Sequence, residues 1–522
     1  MTVINRTIYA SIRKIESPTL RGAADMLARL VLENWFYLLF VLFLLRFPYI
    51  IADLTDTEVM PRRPTGDSAF WQSEMARALT LSCLAMSYNL LFGFSGIISF
   101  GHALFFGAGG YVTFILMFQY DTSLQEKTLA AVVFVGLVLA VLRRLSWRGL
   151  VVYLVIGVGL VLVLLPRDGT ISFYQAAAVA VLVSITLSLA SGFVTLRLRG
   201  IYFAMFTLAL AEMFWVLAKS GTLRDISGAE DGLGFSDVLP EVLNPTRTAD
   251  GSRLEMYRWT VLFFVIVFLA IRRYLNSPAG RVIQAVRENE ERARTIGYNT
   301  LLYKLLTMGF AGVIATLSGL LFVVWATDKR VHPEALSLKY TVDPLLNTLI
   351  GGIGTLTGPV VATLGLNLGE VYLRNETFML DTQIFGVLAV WQLAALIVAA
   401  ILLAAIRPTL QTVAERAIRR YRPETPFEPG TPDYQRIMLA FSTAGFVVLT
   451  IIGLIIGSGM QRDLQDEVYH ISDLWELFLG ALFVIVVMAL PHGIVGTWNR
   501  YWAARRVRRL EQALHSEKKS AV

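Results

Sequence analysis

Few side chains in this sequence could carry a proton or an ion through an apolar environment. His102, Glu212, Asp343 and Glu370 are the candidate histidine and carboxylates set within or beside apolar stretches. A self-sufficient ion-coupled carrier or channel would need such groups at membrane depth, so these four define that reading. A single histidine in this position more often satisfies an interior hydrogen bond than relays a proton, and Glu212 reads as an interfacial carboxylate facing water. Other chemistries lack their residues. The sequence holds no phosphate loop of the Gly-x4-Gly-Lys-Ser/Thr type, no His-Glu-x-x-His pair and no Gly-x-Ser-x-Gly elbow. The chain therefore brings no ATP site of its own, and no cofactor or catalytic group is expected. Cys83 is the only cysteine, too few for an intrachain disulfide or a cysteine metal site, and reads as a small buried hydrophobe.

Recognition chemistry is better represented than bond-making chemistry. Residues 88–111, YNLLFGFSGIISFGHALFFGAGGY, hold six glycines and two serines among large apolar residues. Glycines let helices approach closely or break, and a broken helix at membrane depth exposes backbone groups that can bind solute. Residues 345–360, LLNTLIGGIGTLTGPV, repeat the theme, with hydroxyl and amide side chains beside a glycine-rich interruption. Irregular backbone of this kind is tolerated in a membrane where it lines a cavity. The candidate lining is thus Asn89, Ser95, Gly96, Ser99, Gly101 and His102, with Thr207 from a third segment, and Asn347, Gly351, Gly352, Gly354 and Thr355. That third segment, 195–217, starts at Arg197, Arg199 and Gly200 and carries Glu212.

A soluble insert lies between two apolar runs at 276–299, NSPAGRVIQAVRENEERARTIGYN. Asn276, Ser277 and Pro278 suit a helix start. Val282, Ile283, Val286 and Ala293 recur at helical spacing, opposite a mixed-charge face, and Gly297 suits a left-handed cap. A short amphipathic helix held between membrane spans suits docking into a groove on a partner. Its candidate contact residues are Arg281, Arg287, Glu288, Glu290, Glu291, Ala293 and Gly297.

The elements that position these residues follow from composition. Of 522 residues, 55% are hydrophobic and 16% charged, against about 25% charged in an ordinary soluble domain. Mean hydropathy is +0.60. Apolar runs at 35–51, 76–92, 149–165, 258–271, 384–406, 437–457 and 477–490 mostly approach the ~17–25 residues of a membrane-crossing helix. They are apolar all round, which excludes a transmembrane barrel. The fold class is all-α, a polytopic transmembrane bundle with broken or re-entrant helices and about 12–14 spans. The net charge of +7 matches basic loops on one membrane side rather than nucleic acid.

Basic clusters lie at the N-terminus, at Arg143 to Arg148, at Arg197 and Arg199, at Arg272–Arg294, at Arg407–Arg422 and at Arg500–Arg509. Acidic residues collect in 219–257 and 461–473. Placing every basic cluster inside gives one path with both termini cytoplasmic, provided 341–372 crosses twice. Six regions result. Residues 1–34 form a cytoplasmic amphipathic segment and 35–127 a first transmembrane part. Residues 128–165 form an extra hairpin, and 166–374 a core including 276–299. Residues 375–470 carry inserted spans with a proline-rich loop at 407–436, and 471–522 hold the last span and a basic tail.

Taken in order, these segments resemble the permease subunit of branched-chain amino acid ABC importers, a family that also includes urea and amide permeases. The likeness rests on Asn89 to Leu91 with Gly93 to His102, on Leu196 to Gly200 leading to Leu208–Glu212, and on Ser227-Gly228 with Asp231-Gly232. It continues with Gly280-Arg281, Arg287-Glu288, Gly297 and Lys304, then Gly351 to Thr355 with Gly358-Pro359, and ends at Pro491 to Gly496. The resemblance implies that 276–299 is a coupling helix docking on a cytoplasmic ABC ATPase. It also implies a second permease subunit, a periplasmic solute-binding protein, a bacterial inner membrane, and ATP used only by the partners. Three departures stand out. Arg292 precedes Ala293 where the family usually has two alanines, and both 128–165 and 375–470 look like additions.

Overall fold

The computed structural model describes residues 18–59, 66–119, 171–235 except 197 and 199, 239–240, 252–374 except 327, and 492–505 except 504, with isolated positions between 383 and 490. The expected hairpin at 128–165, the proline-rich loop, most of 375–470 and most of the last span lie outside these residues, as do Arg197 and Arg199. Among the described residues six helices are long and apolar enough to cross a membrane. That agrees with the all-α polytopic class.

The first, α1, runs unbroken from Pro18 to Thr55 with Pro48 inside it. Helix α2 (Asp67–Asn89) passes into a single π turn, Leu90–Phe94. After an irregular stretch the chain resumes as α3 (His102–Gln119). Helix α4 (Phe173–Thr195) opens with a capping box in which Ser172 and Gln175 exchange hydrogen bonds. Helix α5 (Ile201–Lys219) starts at Gly200, whose φ of +59° matches the expected glycine start. A short turn, α6 (Arg224–Ser227), follows. Next come α7 (Ser252–Asn276), α8 (Pro278–Glu288), α9 (Glu290–Thr295) and α10 (Thr300–Val324). The segment 341–372 becomes two helices, α11 (Lys339–Gly351) and α12 (Gly358–Arg374), joined by a glycine turn.

Helix α2 is the centre of the bundle, buried along most of its length and packed against α1, α7, α10, α11 and α12. Helix α10 lies against α2, α3 and α4. The α3–α10 contact is backbone on backbone: a Cβ added at Gly109 would stand 1.9 Å from the Thr316 carbonyl oxygen, and one at Gly319 would stand 1.9 Å from that of Phe106. Small residues at such crossings replace hydrophobic driving force with close packing. Polar pegs fix the rest. Tyr257 donates to the Leu44 carbonyl at 2.9 Å, and Trp325 Nε1 to Thr260 Oγ1 at 2.9 Å. Arg253 donates to the Ala69 carbonyl and to Ser73 Oγ.

The bundle has two distinct ends. At one, β1 (Leu233–Gly234) pairs antiparallel with β2 (Arg330–Val331), and Phe235 stacks on Phe114 at 4.3 Å. At the other lie α8 and α9. A methyl group at Gly109 therefore has nowhere to go. Gly109→Ala should lower the thermal midpoint of the purified protein or prevent its accumulation, since overpacking costs about 1–3 kcal/mol or more. Gly309→Ala, with nothing within 4 Å of the added carbon, should leave the midpoint unchanged in the same assay.

Candidate functional site

The two glycine-rich interruptions, far apart in sequence, meet at the α8–α9 end. Asn89, at the end of α2, joins them with its side-chain amide. Its Nδ2 donates to the Thr355 carbonyl at 2.8 Å, and its Oδ1 accepts from the Gly354 amide at 3.2 Å. The fit depends on Gly93. A Cβ there would lie 1.8 Å from Asn89 Oδ1 and 2.8 Å from the Gly354 nitrogen. Gly354 itself has φ +74° and Gly352 φ +118°, values that favour glycine. The turn is closed by Thr355, whose Oγ1 donates to the Gly352 carbonyl at 2.7 Å. A third piece of chain covers it. A Cβ at Gly352 would be 2.9 Å from the His492 carbonyl oxygen, and one at Gly493 would be 2.4 Å from the Gly352 backbone.

Helix α3 begins abruptly after the break, so its first N–H groups need partners from elsewhere. Neighbouring helices supply them. The Ala103 amide donates to Thr341 Oγ1 on α11 at 2.8 Å, and just ahead of the helix the Phe100 amide donates to Thr207 Oγ1 on α5 at 3.0 Å. Ser99 Oγ accepts from the Gly101 amide, and Ser95 Oγ donates to the Leu91 carbonyl at 2.6 Å. His102 is fully buried, with Nε2 2.8 Å from Ser87 Oγ and its ring edge-on to Tyr88. Its Nδ1 has no hydrogen-bond partner, nor has Oγ1 of buried Thr348 on α11. Asn347, also buried, sits on the same helix.

The sequence-expected residues thus fall into two groups. Asn89, Gly96, Gly351, Gly352, Gly354 and Thr355 converge at the meeting point of the breaks. Ser99, Gly101, His102 and Thr207 surround the start of α3. Sequence reasoning missed Ser87, Gly93 and Thr341 as partners. Their signal was present only as polar or small residues within otherwise apolar helices.

The insert differs from the single helix expected over 276–299. It is two helices, because Asn289 takes an extended conformation (φ −158°, ψ 102°) and caps the second through the Arg292 amide. The expected start holds: Ser277 accepts from the Gly280 amide and Pro278 occupies the first turn. So does the expected end. Gly297, φ +101°, donates to the Arg294 carbonyl while Tyr298 donates to that of Ala293, the paired bonds of a Schellman cap. Val282, Ile283, Val286 and Ala293 pack together with Tyr274 and Tyr303.

Two of the charged residues read as partner contacts are engaged within the chain. Arg287 donates from Nη1 to the Gly93 carbonyl. Its stem also covers Gly96, where an added Cβ would lie 3.1 Å from Arg287 Cγ. Glu290 binds Lys304 at 2.7 Å, Arg294 at 2.7 Å and the Thr300 hydroxyl at 3.1 Å. Arg281, Glu288, Glu291 and Arg292 are exposed.

The described residues therefore form a polytopic helical bundle with two interrupted helices and a short two-helix insert fastened to the breaks. Comparison with known sequences gives the family. Residues 73–406 match the family described as the branched-chain amino acid transport system permease component, and the chain belongs to it. It is 25% identical over 303 residues to a protein of Methanocaldococcus jannaschii named as a probable branched-chain amino acid transport permease protein LivM, covering 54% of this chain and 74% of that one. It is also 27% identical over 231 residues to the high-affinity branched-chain amino acid transport system permease protein LivM of Salmonella typhimurium, covering 40% of this chain. The Escherichia coli protein of the same name is 26% identical over the same length. The match spans only about half of these two bacterial relatives, 53% of each. No solved structure matches significantly. The family is one of transport permeases, not enzymes.

Glu290 makes a pH prediction. Its partial burial favours the protonated acid, but the hydrogen bond and charge of Lys304, with Thr300 and Arg294, outweigh this and hold the carboxyl below its ordinary value. The stabilisation it gives is present above the ordinary carboxylate range and is lost as pH falls below it. Amide hydrogen exchange over residues 290–300 should accelerate on acidification beyond the intrinsic chemical trend. In Glu290→Gln that extra acceleration should vanish. Asn89→Ala removes both bonds to the glycine turn, and should raise exchange at residues 352–355 by roughly 5–150-fold, the equivalent of about 1–3 kcal/mol.

Proposed function

We propose that the chain is the membrane-spanning subunit of an ATP-driven ABC importer for branched-chain amino acids or related small polar solutes. The observation that carries this reading is Arg287. It reaches from the exposed insert to the Gly93 carbonyl, inside the interruption between α2 and α3. A movement of α8 and α9 is therefore delivered directly to the meeting point of the two breaks. The family match over 73–406 and the names of the relatives support the solute class.

In this reading α8 and α9 dock on a cytoplasmic ATPase through Arg281, Glu288, Glu291 and Arg292. Nucleotide-driven closure of the ATPase pair pulls on Arg287 and parts Asn89 from Gly354 and Thr355, which opens one end of the path. The unpartnered His102 Nδ1 and the Thr348 and Ser99 hydroxyls offer polar groups to a solute moving past the start of α3. ATP is consumed by the partner subunits, and this chain holds no cofactor. A second permease subunit completes the path and a periplasmic binding protein delivers the solute. The membrane is the bacterial inner membrane with both termini in the cytoplasm, as the basic clusters favour.

Reconstitution into liposomes with the partner ATPase, second permease and binding protein tests this. ATP-dependent leucine uptake is the expected result, whereas uptake driven by an ion gradient without any ATPase would overturn it. Arg287→Ala should keep the subunits assembled and the ATPase active while reducing uptake at least tenfold. Glu288→Arg should instead reduce co-purification of the ATPase.

A further inference from the structure

The helix over residues 493–503, continued at 505, is not used by any step above. It starts against the glycine turn, through His492 and Gly493 on Gly352, and then leaves the bundle. From Trp498 onward each described side chain is exposed. Trp498, Tyr501, Trp502 and Arg505 stand at helical spacing on one face. Trp498 is 61% and Tyr501 50% exposed. Their rings cluster, Trp498 to Trp502 at 5.8 Å and Tyr501 to Trp502 at 6.2 Å, and the Arg505 guanidinium lies 4.5 Å from the Tyr501 ring centre. Arg506, Arg508 and Arg509 follow in the sequence.

Three aromatic rings left in water would be costly, and in the hydrocarbon the arginines would be costly. Both are stable at a headgroup boundary, where tryptophan and tyrosine collect and where arginine pairs with phosphate. The helix also begins at the edge of the bundle, because the turn it covers joins α11 and α12, which both pack against the central α2. We propose that residues 493–505 lie in the membrane interface at the α8–α9 end of the bundle, bind anionic lipid headgroups there, and so hold the Gly352 turn at the membrane surface. Arginines near an anionic leaflet each contribute about fivefold to such binding, so the attachment depends on lipid charge and on salt. The inference does not depend on what the protein transports or what drives it.

Cys83 is the only cysteine and is fully buried, so a cysteine at exposed Asn499 can be labelled alone. Full-length Asn499→Cys protein carrying an environment-sensitive fluorophore is placed in nanodiscs of phosphatidylcholine, with or without phosphatidylglycerol. Quenching by a lipid spin-labelled near its headgroup is the readout. Quenching should rise severalfold with phosphatidylglycerol, fall back in high salt, and be reduced by Arg505→Gln or by Trp498→Ser with Trp502→Ser. Thermal midpoints of those variants report separately that the bundle remains folded. Equal quenching in neutral and anionic nanodiscs would overturn the proposal. So would a probe that responds only when a cytoplasmic ATPase is added, which would make this face a protein-docking surface.

Discussion

A helix that stops within a packed bundle leaves backbone donors and acceptors that neighbouring elements must satisfy, and this structure is arranged around two such stops. The chain meets the constraint by making the interruptions answer one another. Asn89 ties the end of α2 to Gly354 and Thr355. Thr207 and Thr341, from two further helices, take the first amides of the restarting chain. Each partner is a short side chain on a neighbouring helix, so the breaks persist only while five elements keep their places. A shift of any one exposes groups that must find another polar partner.

The insert between α7 and α10 is built on the same economy. One carboxylate, Glu290, gathers Arg294, Thr300 and Lys304, and one guanidinium, Arg287, binds the carbonyl of Gly93. The apolar cluster of Val282, Ile283, Val286 and Ala293 does the packing. The two small helices are therefore attached at both ends and along one face.

Much of this was legible from residue types. The apolar runs at 35–51, 76–92 and 258–271, the glycine-rich interruptions, the Ser277-Pro278 start and the Gly297 stop each name a local conformation, and the described residues realise them. The pairing of 341–372 as two helices was likewise readable, because the glycines and Pro359 break any single one. What was not legible depends on distance in the chain. Nothing at Asn89 shows that its amide serves residues 354 and 355, and nothing at Arg287 shows that it turns inward. A charged residue four positions after buried Ile283 could have hinted at it. The division of 276–299 into two helices came from the conformation of one asparagine, whose side chain competes for the backbone as readily as it continues a helix. The π turn at Leu90–Phe94 has no residue signature; it is a response to packing.

The Schellman cap at Gly297 has a further consequence. Because the reversal after α9 is set by backbone bonds and one glycine, the exposed side chains of Arg281, Ala285, Glu288, Glu291 and Arg292 have no part in forming it. They are free to drift in charge and size. On the reading proposed above, this surface changes partner by substitution at these positions without disturbing the fold of the two helices. Arg292, exposed beside buried Ala293, is one such position.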